Sequence, residues 1–303
     1  MIFDVNGESN RAEESKLSRI LVIGAKGMLG RDLMETFNAS SLNDVTGWDI
    51  DEIDIRRKEE TVERISGLQP ETVINAAAYT NVDGCESQVE TAFAVNAEGM
   101  RHVALGANKC HSKVVYLSTD YVFDGTKCKP YVEGDPPNPL SVYGRSKLQG
   151  ERYVQQLAED GLIVRTQWLF GRHGNNFVSS ILRQTREKKE LSIVDDQIGS
   201  PTYTVDLANA ISALIECDAS GVFHVANSDY CNWLTFGQSI LKYSGINGVN
   251  IRAISSKELN RAAIRPHYSG FNCRKLKEAT GMTLRPWSEA LKDYLSSCEK
   301  FND

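Results

Sequence analysis

The segment Gly24-Ala-Lys-Gly27-Met-Leu-Gly30 constrains the fold more than any other part of the chain, because of what flanks it. Before it, Arg19-Ile-Leu-Val-Ile23 reads as a buried strand; after it, Met28 to Phe37 has the apolar spacing of an amphipathic helix. A glycine at the strand end permits a tight turn, the next lets backbone approach a pyrophosphate, and the third lets helix pack on strand. The helix start adds free N–H groups and partial positive charge. Three glycines alone are a weak signal, and the spacing here is GxxGxxG rather than GxGxxG. Together with Asp49, at the end of a second strand over 44–48, they point to a dinucleotide site rather than a plain turn. Asp49 is placed to accept hydrogen bonds from an adenosine ribose, which favours NAD, while Lys26 and Arg56-Arg57 offset that charge logic. NADH and NADPH both stay open.

The same alternation continues through the first half. A second helix includes Thr61 to Ile65, and a third strand spans 73–76. Helical spacing runs over 90–108, a fourth strand over 113–117, a further helix over 140–158 and a strand over 162–165. This pattern predicts an α/β protein with a Rossmann-like, doubly wound parallel sheet over 19–170. A smaller, interleaved C-terminal substrate domain fills 171–303, with a strand near 221–226 returning to the sheet. Residues 1–18 read as a polar tail, and 124–139, with Pro130, Pro136, Pro137 and Pro139, as an ordered loop.

Composition narrows the function classes. A chain of 303 residues with 41% hydrophobic side chains can bury a core, which excludes a disordered chain or a mini-scaffold. Lys and Arg number 34 against 40 Asp and Glu, with no basic run, so nucleic acid is not an expected partner. No apolar run is long enough for a membrane span, and the charged N-terminus lacks a signal-peptide core. Seven scattered cysteines without a CxxC pair imply reduced thiols and a cytoplasmic protein. None of the five histidines forms a ligand spacing with another, so no metal site is expected.

Tyr143-Gly-Arg-Ser-Lys147 puts a phenol and an ammonium on one helix face. An unperturbed phenol titrates near pH 10, so acid–base work at neutral pH calls for a nearby cation, which Lys147 supplies. Ser118-Thr119-Asp120, at the end of the fourth strand, offers hydroxyls at the sheet edge where ligands bind in such folds.

In this order the motifs resemble the nucleotide-sugar branch of the extended short-chain dehydrogenase/reductase superfamily, and within it the dTDP-4-dehydrorhamnose reductases. The resemblance runs from about 19 to 295. It rests on the blocks Asn75–Asp83, Ser118–Gly125, Tyr143–Glu151, Arg165–Gly171, Gly174–Phe177 and Asp195–Thr202. It implies NAD(P)H-dependent reduction of the 4-keto group of dTDP-6-deoxy-L-lyxo-4-hexulose to dTDP-L-rhamnose. Carried over by position, Thr119, Tyr143 and Lys147 are the catalytic triad. Gly24, Gly27, Met28, Leu29, Gly30, Asp49, Asp54, Ile55, Ala76, Ala77 and Ala78 line the cofactor. Asp120, Tyr121 and Trp168 face the sugar, and Arg172, Asn176 and Arg265 lie nearer the nucleotide. The block after Arg265 departs from the family pattern at Gly270, Phe271 and Asn272, and the N-terminal tail is an addition. A homodimer is compatible with the resemblance.

Reduction needs a hydride donor and a proton donor at the oxygen, the latter Tyr143, with Thr119 stabilising the developing alkoxide. A sister activity, 4,6-dehydration, places a second carboxylate after the aspartate; here that position is Tyr121, which favours reduction. The alternatives are reduction of another nucleotide-linked keto sugar, or a non-catalytic NADP-binding regulatory subunit like the methionine adenosyltransferase beta subunit. Trp233 and Trp287 read as core residues, and His224 as a satisfied core histidine.

Overall fold

The structure is a computed structural model that describes residues 17–299. Most of the polar tail, residues 1–16, lies outside the described residues. The central sheet contains β1 (Ser18–Ile23), β2 (Asn43–Trp48), β3 (Thr72–Asn75), β4 (Lys113–Thr119), β5 (Gly161–Thr166) and a last strand, Gly221–His224. Its order is Gly221–His224, β5, β4, β3, β1, β2, and every pairing is parallel. The inner strands β3 and β4 are buried throughout, as expected of a sheet covered on both faces.

One face packs Leu29, Leu33 and Phe37 of helix α1 (Met28–Asn38) with Leu207, Ile211 and Leu214 of the helix Thr204–Glu216. The other face packs Ile65 of α2 (Lys58–Leu68) with Met100, Val103 and Ala107 of the helix Gly99–Asn108. The chain leaves β1 toward β2 and returns to β3 on the other side of β1, so a crevice opens at the carboxyl ends of β1 and β3.

The single helix expected over 90–108 is interrupted. Val89–Phe93 is α-helical, Ala94–Glu98 is a π turn, and the α-helix resumes at Gly99. The π turn holds the buried Asn96, whose amide accepts from Tyr79 N (2.8 Å) and donates to Tyr79 O (3.2 Å) and to Ser146 Oγ (3.0 Å). Such tertiary bonds offset the poorer helix geometry. The loop over 124–139 is held by the Asp124 carboxylate, which accepts from Thr126 N (3.0 Å), Asn138 Nδ2 (2.9 Å) and Tyr131 OH (3.1 Å).

After Phe170 a second core forms around Phe170, Val178, Ile193, Phe236 and Trp287. A small parallel pair, Glu190–Val194 with Asn250–Ile254, edges it. Among the described residues no helix is long and apolar enough to cross a membrane.

Candidate active site

The turn after β1 is built by contact. Gly24 has φ +82°, and a Cβ there would lie 2.7 Å from the backbone N of Ala77. A Cβ on Gly30 would lie 2.0 Å from the carbonyl oxygen of Gly24. Turn, α1 and the end of β3 are therefore in direct contact, and only glycine fits. Gly27 is the N-cap of α1 and brings no side-chain acceptor, so the amides of the first turn keep their capacity for an anion.

From this turn a cavity of about 840 Å³ crosses the carboxyl edge of the sheet, a size suited to small-molecule ligands. Asp49, Asp54 and Ile55 line one end, Ala76 to Ala78 the middle, and Thr119, Tyr143, Lys147 and Trp168 the other. Gly30 packs behind the wall. A dinucleotide fits this set of groups: uncapped helix amides that donate to phosphates, a carboxylate that accepts from ribose, and small alanines that leave room.

Tyr143 stands in the first turn of the helix Val142–Leu157, which starts where Ser141 accepts from Gly144 N at 3.1 Å. A Cβ on Gly144 would lie 2.2 Å from the carbonyl oxygen of Tyr121, so glycine lets this helix press against the end of β4. The Tyr143 phenol is pushed well above its ordinary range by burial and by the Asp120 carboxylate, against a hydrogen bond with Thr119 that lowers it. It is a protonated donor at neutral pH. Lys147 is pushed down to about 7 by burial, opposed by Glu151. Its Nζ sits 4.1 Å from the centre of the Tyr116 ring. Burial and Asp120 act on the phenol in the direction opposite to the lowering expected from Lys147.

Asp120, fully buried, accepts from Thr119 Oγ1 at 3.0 Å. Burial raises its carboxyl to about 6, and Ser269 and Thr119 hydrogen bonds oppose the rise. Tyr121 meets the Tyr143 ring edge-on, centroids 5.5 Å apart. Trp168 lines the cavity with φ +48°, a strained value for a bulky side chain.

The three residues expected nearer the nucleotide also lie off the cavity wall. The Arg172 guanidinium is bound by Asp32 (3.1 Å) and Glu35 (2.5 Å) of α1. Asn176 caps the helix Phe177–Glu187 and donates to Gly171 O at 2.8 Å. Arg265 is held bidentately by Asp83 (3.1 and 2.9 Å) and bonds Tyr121 from behind. Asp32, Glu35 and His173 also bring one potential metal-ligand atom each within 4.8 Å of one another, but Arg172 already supplies a positive charge there.

Other residues enter that sequence reasoning passed over. Trp233, expected in the core, lines the cavity and stacks on Trp168 at 3.7 Å and 10°. Thr166 and Gln167, at the end of β5, line it too; Thr166 is the register partner of Thr119. Only their place after a buried strand beside β4 signalled this. Trp287 is buried as expected, while His224 bonds Tyr131 O through Nδ1 (3.1 Å) and leaves Nε2 without a partner among the described residues.

A family model for the RmlD substrate binding domain matches residues 18–300. The chain belongs to that family. It is 37% identical to the spore coat polysaccharide biosynthesis protein SpsK of Bacillus subtilis (strain 168), over 93% of this chain and 100% of that one. It is 35% identical to the dTDP-4-dehydrorhamnose reductase of Aggregatibacter actinomycetemcomitans, with the same coverage of both. Among solved structures, it resembles the dTDP-4-dehydrorhamnose reductase from Bacillus anthracis str. Ames in complex with NADP. That match has a TM-score of 0.90 and 37% identity, and covers 93% of this chain and 99% of that one.

Proposed function

We propose that this RmlD-family protein reduces the 4-keto group of dTDP-6-deoxy-L-lyxo-4-hexulose to dTDP-L-rhamnose, using NADPH or NADH. The observation that carries the reading is one cavity holding the glycine turn at one end and Thr119, Tyr143 and Lys147 at the other. Relatives named dTDP-4-dehydrorhamnose reductase, matched over nearly their whole length, support the substrate.

The amides at the start of α1 hold the pyrophosphate, and Asp49 takes the ribose. When bound, the nicotinamide supplies the hydride. Tyr143, kept protonated by its burial, gives its proton to the carbonyl oxygen as that oxygen becomes an alkoxide. Thr119, whose single hydroxyl proton goes to Asp120 in the free site, turns it toward the same oxygen when the carbonyl is bound. Lys147, as an ammonium, favours the phenolate left behind. Asp120, Tyr121 and Trp168 hold the sugar. Arg172 and Asn176 brace the loop over 171–176 against α1, and Arg265 fixes Tyr121, so these three position rather than touch the substrate. With Tyr121 where a second acid would be needed, the site reduces and does not eliminate. The scattered thiols suit a cytoplasmic protein.

The test is absorbance loss at 340 nm with the dTDP-keto sugar and each reduced dinucleotide, repeated with UDP and GDP carriers. Turnover fastest with the dTDP carrier is expected. Tight dinucleotide binding with no turnover would leave the non-catalytic reading instead. In Tyr143→Phe, kcat should fall by ~10²–10⁴-fold with little change in dinucleotide Kd; full activity in that variant would refute the proton donor.

A further inference from the structure

We propose that the short helix α3 (Val82–Ser87) is a bracket that positions the proton donor. Glu86 holds the start of the helix carrying Tyr143, and Asp83, through Arg265, holds the Tyr121 ring that packs on Tyr143. The effect of this bracket on turnover rests on the reductase reading above.

The chain crosses the cavity after β3, where Ala76 to Ala78, Thr80 and Val82 line the wall. Asn81 then starts α3 by accepting from Gly84 N at 2.9 Å. Asp83 and Glu86 are three residues apart, so both carboxylates lie along one side of this turn. Cys85, between them, is buried with Val142, and the Tyr143 ring packs against the same cluster.

Tyr143 is the second residue of its helix, where backbone N–H groups have no intrahelical partner. Ser141 satisfies one of them, Gly144 N. The half-buried Glu86 satisfies another, accepting from Val142 N at 2.8 Å from 56 residues away. A carboxylate is also the charge favoured at that end of a helix. Asp83 meanwhile accepts from Arg265 Nη1 (3.1 Å) and Nη2 (2.9 Å) and from Ala263 N (3.1 Å), and Arg265 in turn bonds Tyr121. One turn of helix therefore braces both members of the Tyr121–Tyr143 pair, and it draws in a segment from the second half of the chain to do so. A shift of ~1 Å at a reacting group costs on the order of 10²-fold in rate. A brace of this kind acts on turnover without touching substrate.

The experiment compares Glu86→Ala, which removes the acceptor, with Glu86→Gln, which keeps one. It reads hydrogen exchange over 140–147 by mass spectrometry, and turnover of the dTDP-keto sugar. In Glu86→Ala, exchange should quicken and kcat should fall, each by ~10-fold or more, with dinucleotide Kd within about 2-fold of the parent. Glu86→Gln should bring both back to within about 3-fold. In Asp83→Asn, Arg265 loses its charge partner, and KM for the keto sugar should rise several-fold, because Tyr121 faces the sugar. Parental exchange and kcat in Glu86→Ala overturn the proposal. So does equal damage in the Gln and Ala variants, or a kcat loss that only tracks loss of folded protein by circular dichroism. A parental KM in Asp83→Asn overturns the part played by Arg265. If the parent turns over no keto sugar, the reductase reading falls, and the exchange rates alone decide whether Glu86 holds the helix.

Discussion

Replacing Arg165 tests how the catalytic helix is anchored to the sheet. Glu151, one turn beyond Lys147, receives Arg165 Nε (2.8 Å) and Nη2 (2.6 Å) from β5 and Ser118 Oγ (2.5 Å) from β4. The two side chains are 1% and 3% exposed, so neither charge can be solvated in place. Arg165 also lies over the Phe123 ring at 5.2 Å, and its Nη1 has no hydrogen-bond partner among the described residues. In Arg165→Met the Glu151 carboxylate is stranded in a dry interface, and the expected loss is about 3–5 kcal/mol. With an m-value of about 3 kcal/mol/M, the urea midpoint should fall by about 1 M or more. The double replacement Arg165→Met/Glu151→Leu removes both charges and should recover most of that loss, since a buried pair is close to neutral against apolar isosteres. Urea unfolding followed by tryptophan fluorescence and circular dichroism, in parallel, measures both. A single variant within about 1 kcal/mol of the parent, as for a surface pair, would refute the reasoning. So would a double variant no more stable than the single one.

Two further outcomes follow from the same geometry. Lys147 is pushed down to about 7, against an unfolded value near 10.4. If its ammonium serves catalysis, kcat/KM should fall as pH rises through about 7; a flat profile up to pH 9 would show that the charge is not used. The linkage runs the same way: between the two values the unfolded chain binds the extra proton, so the cost of burying Lys147 is full below pH 7 and fades toward pH 10. Lys147→Met should therefore raise Tm most at pH 6, with the gap closing by pH 10. Gly24→Ala forces a side chain to φ +82° and within 2.7 Å of Ala77 N. It should cost about 1–3 kcal/mol and abolish dinucleotide binding, read by thermal unfolding and fluorescence titration. Unchanged binding there would exclude the turn from the cofactor site.

What could be read from the chain alone was local. The strand, GxxGxxG and helix order depends on neighbours within about ten residues, and the parallel α/β class follows from its repetition. Tyr143 and Lys147 share a face because the helix period puts them there, whatever surrounds them. Burial and charge compensation are not local. Trp233 joins Trp168 from the second core, so its role at the cavity had no signature in its own segment. Asn96 bends its helix into a π turn because Tyr79 and Ser146 offer bonds that no helical pattern records. Arg172, placed near the nucleotide by the family resemblance, is taken by Asp32, 140 residues away. Lys147 is an ordinary lysine in the sequence, and only its enclosure against Tyr116 brings it near neutrality. Spacing sets which side chains can meet along one element, whereas packing between elements sets which charges find partners and which lose water.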